Sequence, residues 1–178
     1  MAAFDADDGF APDRALSLMW NTFVTLFWRR SLVDETVGWL NEHGYQTVVL
    51  DAGLWADEDA LHSAVAEALD FPDYYGENLD ALNDCLRDVV SYDYGTTKEA
   101  TGLAIVFLNY DHFARVEPRA AQIVLDIFAD RARSASLFGH RIMTLVHSND
   151  PNIEFEPVGA MPVMWNQNEW FDAHRRPG

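Results

Sequence analysis

Three short apolar segments constrain what this chain can fold into more than any other feature. They read YQTVVLDAG over residues 45–53, LAIVFLNY over residues 103–110 and HRIMTLVHS over residues 140–148. A short apolar run bounded by turn residues is typical of a strand that is buried on both faces. Segments with helical periodicity separate the three runs. This alternation predicts an α/β fold with a small, mainly parallel three-stranded sheet covered by helices.

Four segments have the apolar periodicity of helices that bury one side. They cover residues 31–44, 56–71, 77–90 and 117–139. Ser31 is expected to cap the first helix and Gly44 to end it. Pro118 lies in the first turn of the last helix, and Gly139 follows its end. These start and stop signals make the four helices separate elements that can cover the sheet.

The two ends of the chain carry weaker signals. Residues 1–13 are expected to form a loose acidic tail. Residues 15–30 fit a strand and a helix equally well, because their aromatic and β-branched residues favour a strand while their apolar residues also recur at helical spacing. Residues 149–178 are rich in aromatic side chains, which predicts packing on the body of the protein. The predicted division is an N-terminal extension over residues 1–45, a domain over residues 46–148 and a C-terminal extension over residues 149–178.

The charge of the chain argues against several classes of partner. Twelve basic residues against twenty-nine acidic residues leave a net charge of −17. Direct binding of nucleic acid needs Lys and Arg side chains at the phosphates, and an anionic membrane surface attracts the same residues. A strongly negative surface favours basic protein partners, although high solubility alone also explains it. The oligomeric state is left open.

The remaining composition predicts a cytoplasmic protein without a cofactor. The N-terminus lacks the positive start and apolar centre of a signal peptide, and no apolar run approaches the length of a membrane span. Cys85 is the single cysteine and cannot form an internal disulfide. No cluster of Cys and His has zinc spacing, so we expect no metal.

Carboxylates recur along the predicted helix over residues 77–90. Glu77, Asp80, Asp84 and Asp88 follow one another at spacings of three, four and four, which places all four on one helix face. Like charges at this spacing repel by roughly 0.2–0.5 kcal/mol per pair. The opposite face is apolar. A solvated helix face and a binding surface for a cationic partner are both compatible with this pattern.

The stretch DYYGENLDALNDCL, residues 73–86, resembles the signature of the barstar family of intracellular inhibitors of the ribonuclease barnase. The resemblance extends at the level of strand and helix pattern over residues 46–148. It implies that the acidic helix and the loop before it plug a ribonuclease active site. In that arrangement the inhibitor carboxylates replace RNA phosphates among cationic enzyme groups.

The resemblance also implies which residues make contact. Tyr74, Asp80 and Asp84 match contact positions, and Asp84 matches the central aspartate that mimics a phosphate. Asp130, on the later helix, falls where the family has a contacting acid. Together with the acidic row, these matches predict a partner-binding set, which is Tyr74, Glu77, Asp80, Asn83, Asp84, Asp88 and Asp130.

Several positions depart from the family pattern. Asn83 and Val89 stand where barstar carries tryptophans, and Ser134 stands where it carries a second acid on the later helix. Asp88 replaces a glycine. Aromatic anchors often dominate the energy of an interface, so these departures predict a basic, secreted or toxin-type ribonuclease other than barnase.

Two other functions compete with ribonuclease inhibition. Paired carboxylates can serve a glycosidase or hold a divalent metal, but the sequence has no HExxH, P-loop, GxSxG or dinucleotide-binding motif. We therefore expect a protein that is not an enzyme. An acidic module of the same fold that binds a partner other than a ribonuclease is the alternative. The sequence favours an immunity protein that blocks a ribonuclease by steric and electrostatic occlusion.

Overall fold

Helices and strands alternate along the chain in the computed structural model, which describes residues 14–19 and 22–176. The strands are β1 (Val24–Phe27), β2 (Gln46–Asp51), β3 (Leu103–Leu108), β4 (Ile142–His147) and β5 (Met164–Trp165). The helices are α1 (Arg14–Met19), α2 (Arg30–Glu42), α3 (Glu58–Ala68), α4 (Leu79–Val90), α5 (Tyr110–Val116) and α6 (Pro118–Ser136). Short 3-10 turns cover Ala52–Leu54, Gln167–Glu169 and Asp172–Arg175. The α/β class predicted from the sequence is confirmed.

The sheet has five strands in the order β2-β3-β4-β1-β5, and every neighbouring pair is parallel. The prediction of three strands is wrong. The three apolar runs form β2, β3 and β4, while the flanking segments add β1 beside β4 and β5 beside β1. The signal for β1 was ambiguous because residues 14–27 contain both a helix and a strand, and β5 has only two residues, too few to show a period.

Helices cover both faces of the sheet, as its apolar strands require. Alternate residues of β3 point to opposite faces. Ile105 and Phe107 join the core under α3, α4, α5 and α6, whereas Ala104 and Val106 join the core under α1 and α2. All six residues of β3 are buried, and so are all six of β4. The side chains on α4 and α6 that face away from the sheet are therefore left for solvent or for a partner.

The predicted helix boundaries are close to those observed, with some corrections. α2 begins at Arg30, so Ser31 is not its cap, and Arg29 at the cap position makes no side-chain cap bond. Gly44 and Gly139 both adopt positive φ after their helices, and Pro118 is the first residue of α6, as predicted. The short helix α5 was not predicted.

Two further expectations concern the N-terminal tail and membrane-spanning segments. The predicted loose acidic tail over residues 1–13 lies outside the described residues. Among the residues that the structure describes, no helix combines the length and the apolar character needed to cross a membrane.

Candidate functional site

The start of α4 differs from the sequence prediction. Asn78 is the cap: its Oδ1 accepts from the Ala81 backbone N–H at 2.9 Å, and its Nδ2 donates to the Gly76 carbonyl at 3.0 Å. Glu77 precedes the helix and has a φ of 46°. The prediction that Glu77 shares a helix face with three aspartates is therefore wrong, because a left-handed residue cannot continue the helical spiral. The acidic row on α4 begins at Asp80.

The inner side of α4 fixes the helix to the body of the protein. Leu82, Cys85, Leu86 and Val89 are buried, and α4 packs against α6. Cys85 is a free thiol within this apolar side. Val89, at a position where barstar has a tryptophan, is almost completely buried and therefore offers no contact surface.

The loop before α4 is held by aromatic contacts beneath it. The Tyr75 hydroxyl lies 2.5 Å from Nδ1 of the buried His62, and the Tyr75 ring packs edge-on against Phe71 with centroids 4.9 Å apart. Burial raises the pKa of Tyr75, so its phenol stays protonated. The neighbouring Tyr74 is exposed. The loop thus presents Tyr74 to solvent from an anchored backbone.

Asp80 and Asp84 project from α4 into solvent. The Asp84 side chain is 66% exposed, and one of its oxygens lies 3.3 Å from Nη1 of Arg87. Both partners of this ion pair are more than half exposed, and such pairs are worth little in water. Asp84 can therefore exchange Arg87 for a better cationic partner. Asn83, between the two carboxylates, is half-buried.

Asp88 has partners that the sequence did not reveal. The Tyr94 hydroxyl donates to the Asp88 carboxylate at 3.4 Å and to the Cys85 carbonyl at 3.1 Å, and burial raises the pKa of Tyr94. Arg87 Nε lies 3.8 Å from the same carboxylate. These contacts explain how an acidic side chain is tolerated near the C-terminus of a helix, where the dipole disfavours it.

Asp130 lies on α6, the helix that packs against α4. Arg133 donates to its carboxylate at 2.8 Å and Arg131 at 2.5 Å. The hydrogen bond from Arg133, followed by the contact with Arg131, lowers the pKa of Asp130 and outweighs the effect of partial burial. This pairing was not predicted, although Asp130 and Arg133 have the i, i+3 spacing of helical ion pairs.

We call Asp80, Asp84 and Asp88 of α4, with Asp130 of α6, the acidic surface. Its oxygens are hydrogen-bond acceptors, suited to guanidinium and ammonium groups. In the described part of the chain, no three His, Cys, Asp or Glu side chains come together as a metal site. What these four carboxylates can do chemically is accept hydrogen bonds from cationic groups.

Two comparisons with known proteins show which family the chain is similar to. The chain matches the family model described as "Barstar (barnase inhibitor)" over residues 45–147, more than half of its length. Over 39 residues, 22% of the chain, it is 49% identical to a protein of Bacillus subtilis (strain 168) described as "Putative ribonuclease inhibitor YrdF". That alignment spans 43% of the relative. The family match runs from the start of β2 to the end of β4 and includes the whole acidic surface. The chain belongs to the barstar family.

Proposed function

We propose that this protein is an immunity protein that inhibits a basic ribonuclease by placing the acidic surface in its RNA-binding cleft. The observation that carries the proposal is the exposed pair Asp80 and Asp84 on a rigid helix, within a chain of the barstar family. Inhibition is by reversible occlusion and needs neither catalysis nor a cofactor. The relative described as a ribonuclease inhibitor supports the same function.

Electrostatics supports a cationic cleft as the binding site for Asp84. Within the described part of the free protein, Asp84 makes an exposed contact with Arg87. A ribonuclease cleft holds its cationic groups in fixed positions for phosphates, so each charge-assisted hydrogen bond to Asp84 forms with little ordering. Asp84 thus gains far more from the partner than it loses on leaving Arg87. We propose Asp84 as the dominant contact.

The other predicted contacts contribute unequally in this proposal. Asp88 and Asp130 are already bonded to Tyr94 and to two arginines, so a partner must share or displace those donors. Glu77 lies in the loop next to Tyr74 rather than on the helix. We propose that Asp80 and Tyr74 assist Asp84, and that Glu77, Asn83, Asp88 and Asp130 make peripheral contacts.

The departures from the family pattern bear on the partner. Asn83 and Ser134 replace a tryptophan and an acid, and Val89 is buried. A cleft that fits this surface differs from the barnase cleft at those points. We therefore propose a ribonuclease other than barnase. Protection of cellular RNA requires the inhibitor in the compartment that holds RNA, which supports a cytoplasmic location. The division into a barstar-like domain over residues 46–148, with extensions over residues 1–45 and 149–178, also stays a prediction.

The first experiment is capture of partners from the cells that produce the protein, followed by a ribonuclease assay on each captured protein. Purified barnase serves as a reference enzyme in the same assay. Wild type should block RNA cleavage by a captured basic protein, and Asp84→Asn should weaken inhibition by at least about 30-fold, the range of a binding hot spot.

The matched control is Asp34→Asn. Asp34 is a similarly exposed helical aspartate that pairs with Arg30 at 2.8 Å, but it lies on α2, which covers the opposite face of the sheet. Both substitutions remove one negative charge, so a shared, weak effect would mean generic attraction. The inhibitor proposal fails if captured partners lack ribonuclease activity and barnase also stays active. The protein would then be an acidic module for another class of partner.

A further inference from the structure

Two large apolar side chains are exposed at the end of α6. Leu137 is 81% exposed and Phe138 is 77% exposed. They are adjacent in the chain and contribute nothing to either hydrophobic core. Single exposed apolar residues are common on protein surfaces, but a neighbouring Leu and Phe this far exposed form a small patch that favours contact with another protein.

The backbone holds this apolar pair in place. The His140 N–H donates to the Ala135 carbonyl at 3.1 Å, and the Gly139 N–H donates to the Ser136 carbonyl at 3.1 Å. With Gly139 at a φ of 79°, this is the Schellman arrangement that ends a helix. Leu137 and Phe138 therefore lie in the hydrogen-bonded turn that ends α6 rather than on a loose loop. Little backbone entropy is lost when a partner covers them.

The pair lies beside the acidic surface. Asp130, Ser134 and Leu137 follow one another at i, i+4 and i+7, which is the spacing of one helix face. Leu137 keeps helical angles, with a φ of −64° and a ψ of −21°. The rings of Tyr92 and His140 touch with centroids 4.7 Å apart, so the end of α4 meets the end of α6. Leu137 thus lies beyond Asp130 on the same face, with Phe138 next to it in the chain, where the ends of α4 and α6 meet.

We propose that Leu137 and Phe138 are an apolar anchor for the ribonuclease bound by the acidic surface. The inference rests on the proposed function and adds to its partner an apolar patch next to the cationic cleft. The acidic surface supplies charge-assisted contacts led by Asp84, and an apolar side chain that is buried beside them adds affinity of its own. Asn83 and the buried Val89 supply no aromatic anchor on α4.

Charge selects the ribonuclease over a second copy of this chain as the occupant. Two copies that met at this pair would bring their acidic surfaces together, and each copy carries a net charge of −17. A basic partner that covers the pair is instead attracted by the nearby acidic surface. The apolar anchor and the acidic surface therefore bind one partner at the same time.

The test compares two double variants with matched chemistry. Leu137→Ser/Phe138→Ser removes the apolar anchor. Leu54→Ser/Phe171→Ser removes a leucine and a phenylalanine that are 79% and 70% exposed elsewhere on the surface. The probes are barnase and the ribonuclease recovered by capture, with association and dissociation rates measured against immobilised enzyme. The first variant should weaken binding by at least about tenfold, mainly through faster dissociation, and the control by less than about threefold.

The outcomes separate this inference from the function on which it rests. If wild type binds neither enzyme, the proposed function fails and the anchor fails with it. If wild type binds and Asp84→Asn releases the enzyme, but the two double variants behave alike, the inhibitor stands and the anchor is wrong. The anchor is also wrong if Leu137→Ser/Phe138→Ser converts a dimer into a monomer without changing ribonuclease affinity. Circular dichroism should show that both variants keep the wild-type fold.

Discussion

Carboxylates that look equivalent in the sequence have different environments in the folded protein. Asp84 is exposed and pairs with the exposed Arg87, whereas Asp88 accepts from Tyr94 and Asp130 from two arginines. A carboxylate that already accepts from a local donor has fewer acceptor sites left for a partner. At the scale of the residue, the local donors therefore make these acids unequal as acceptors.

His147 shows how a residue without a sequence motif can matter to stability. It lies at the end of β4, almost completely buried, and its Nδ1 accepts from the Asn109 backbone N–H at 3.2 Å. Only the neutral ring can accept this bond. Burial, followed by the nearby Arg30, lowers the pKa of His147, while Asp111, the Trp28 backbone and Asp34 oppose the shift.

We expect the stability of the protein to fall as the pH drops below the ordinary histidine pKa of 6.5. Because the folded-state pKa of His147 is depressed, the unfolded chain takes up a proton first. The stabilisation is therefore complete above pH 6.5 and is lost as the pH falls through the folded-state pKa. Between pH 7.5 and pH 5.5, the free energy of unfolding measured in urea should fall less for His147→Asn than for wild type. An equal loss of unfolding free energy in wild type and variant would show that other groups govern the pH dependence. The control is His43→Asn, which changes an exposed histidine directly after α2.

Helix starts are stabilised in two different ways in this fold. Asn78 caps α4 from within the local sequence. α2 instead receives a carboxylate from far along the chain: Glu169 accepts from the backbone N–H groups of Trp28 and Arg29 at 2.9 and 2.8 Å. Arg29 Nε adds a third bond at 3.0 Å, and Asn166 also donates to Glu169. These bonds thus tie the C-terminal segment to the backbone between β1 and α2.

Asn78→Ala should lower the free energy of unfolding by about 1 kcal/mol, because the Ala81 N–H loses its partner. Asn78→Gly should lower the free energy of unfolding by only a few tenths of a kcal/mol, since glycine tolerates the cap conformation. Urea unfolding of both variants measures the difference. Equal destabilisation by Ala and Gly would mean that the bond between Asn78 and Gly76 matters more than the cap.

Glu169→Gln should destabilise the protein by about 1.5–3 kcal/mol, the range for hydrogen bonds to a charged group. The Glu169 side chain is fully buried, so water cannot replace the lost interactions. Glu154→Gln, an exposed change in the same segment, should leave the free energy of unfolding within about 0.5 kcal/mol of wild type. Denaturant titration compares the two. If they shift the midpoint equally, Glu169 does not hold the C-terminal segment in place.

At the scale of the molecule, two properties act together. The parallel sheet fixes α4 and α6 side by side, because the elements packed beneath them are buried in one core. The net charge of −17 then extends the attraction for a basic partner beyond direct contact. Shape is set by the core, and the rate of encounter is set by the charge.

The association rate with a basic ribonuclease should therefore fall steeply with salt. Between about 50 and 500 mM NaCl we expect a decrease of at least about tenfold, because the Debye length shrinks to a few ångströms. The dissociation rate should change much less. Stopped-flow mixing measures both rates. An association rate that ignores ionic strength would contradict electrostatic steering.

Local patterns were enough to predict a large part of this protein. Some signals act through neighbours in the chain. They include the apolar runs that form β2, β3 and β4 and the helix start and stop at Pro118 and Gly139. The motif over residues 73–86 likewise carried the resemblance to the barstar family, which the family match confirmed. Such signals can be interpreted from sequence because the residues that produce them are close together in it.

Tertiary structure alone decided the rest. β1 and β5 complete the sheet through pairing with strands distant in sequence, and Glu169 binds the backbone just before α2, about 140 residues away. The left-handed turn at Glu77 removed one acid from the predicted row, and Tyr94 occupied another. The sequence by itself determined the fold class, the family and the presence of an acidic helix. Only the folded chain determined which of these acids accept from a neighbouring donor, because that depends on where the backbone turns and on which side chains the packing brings together.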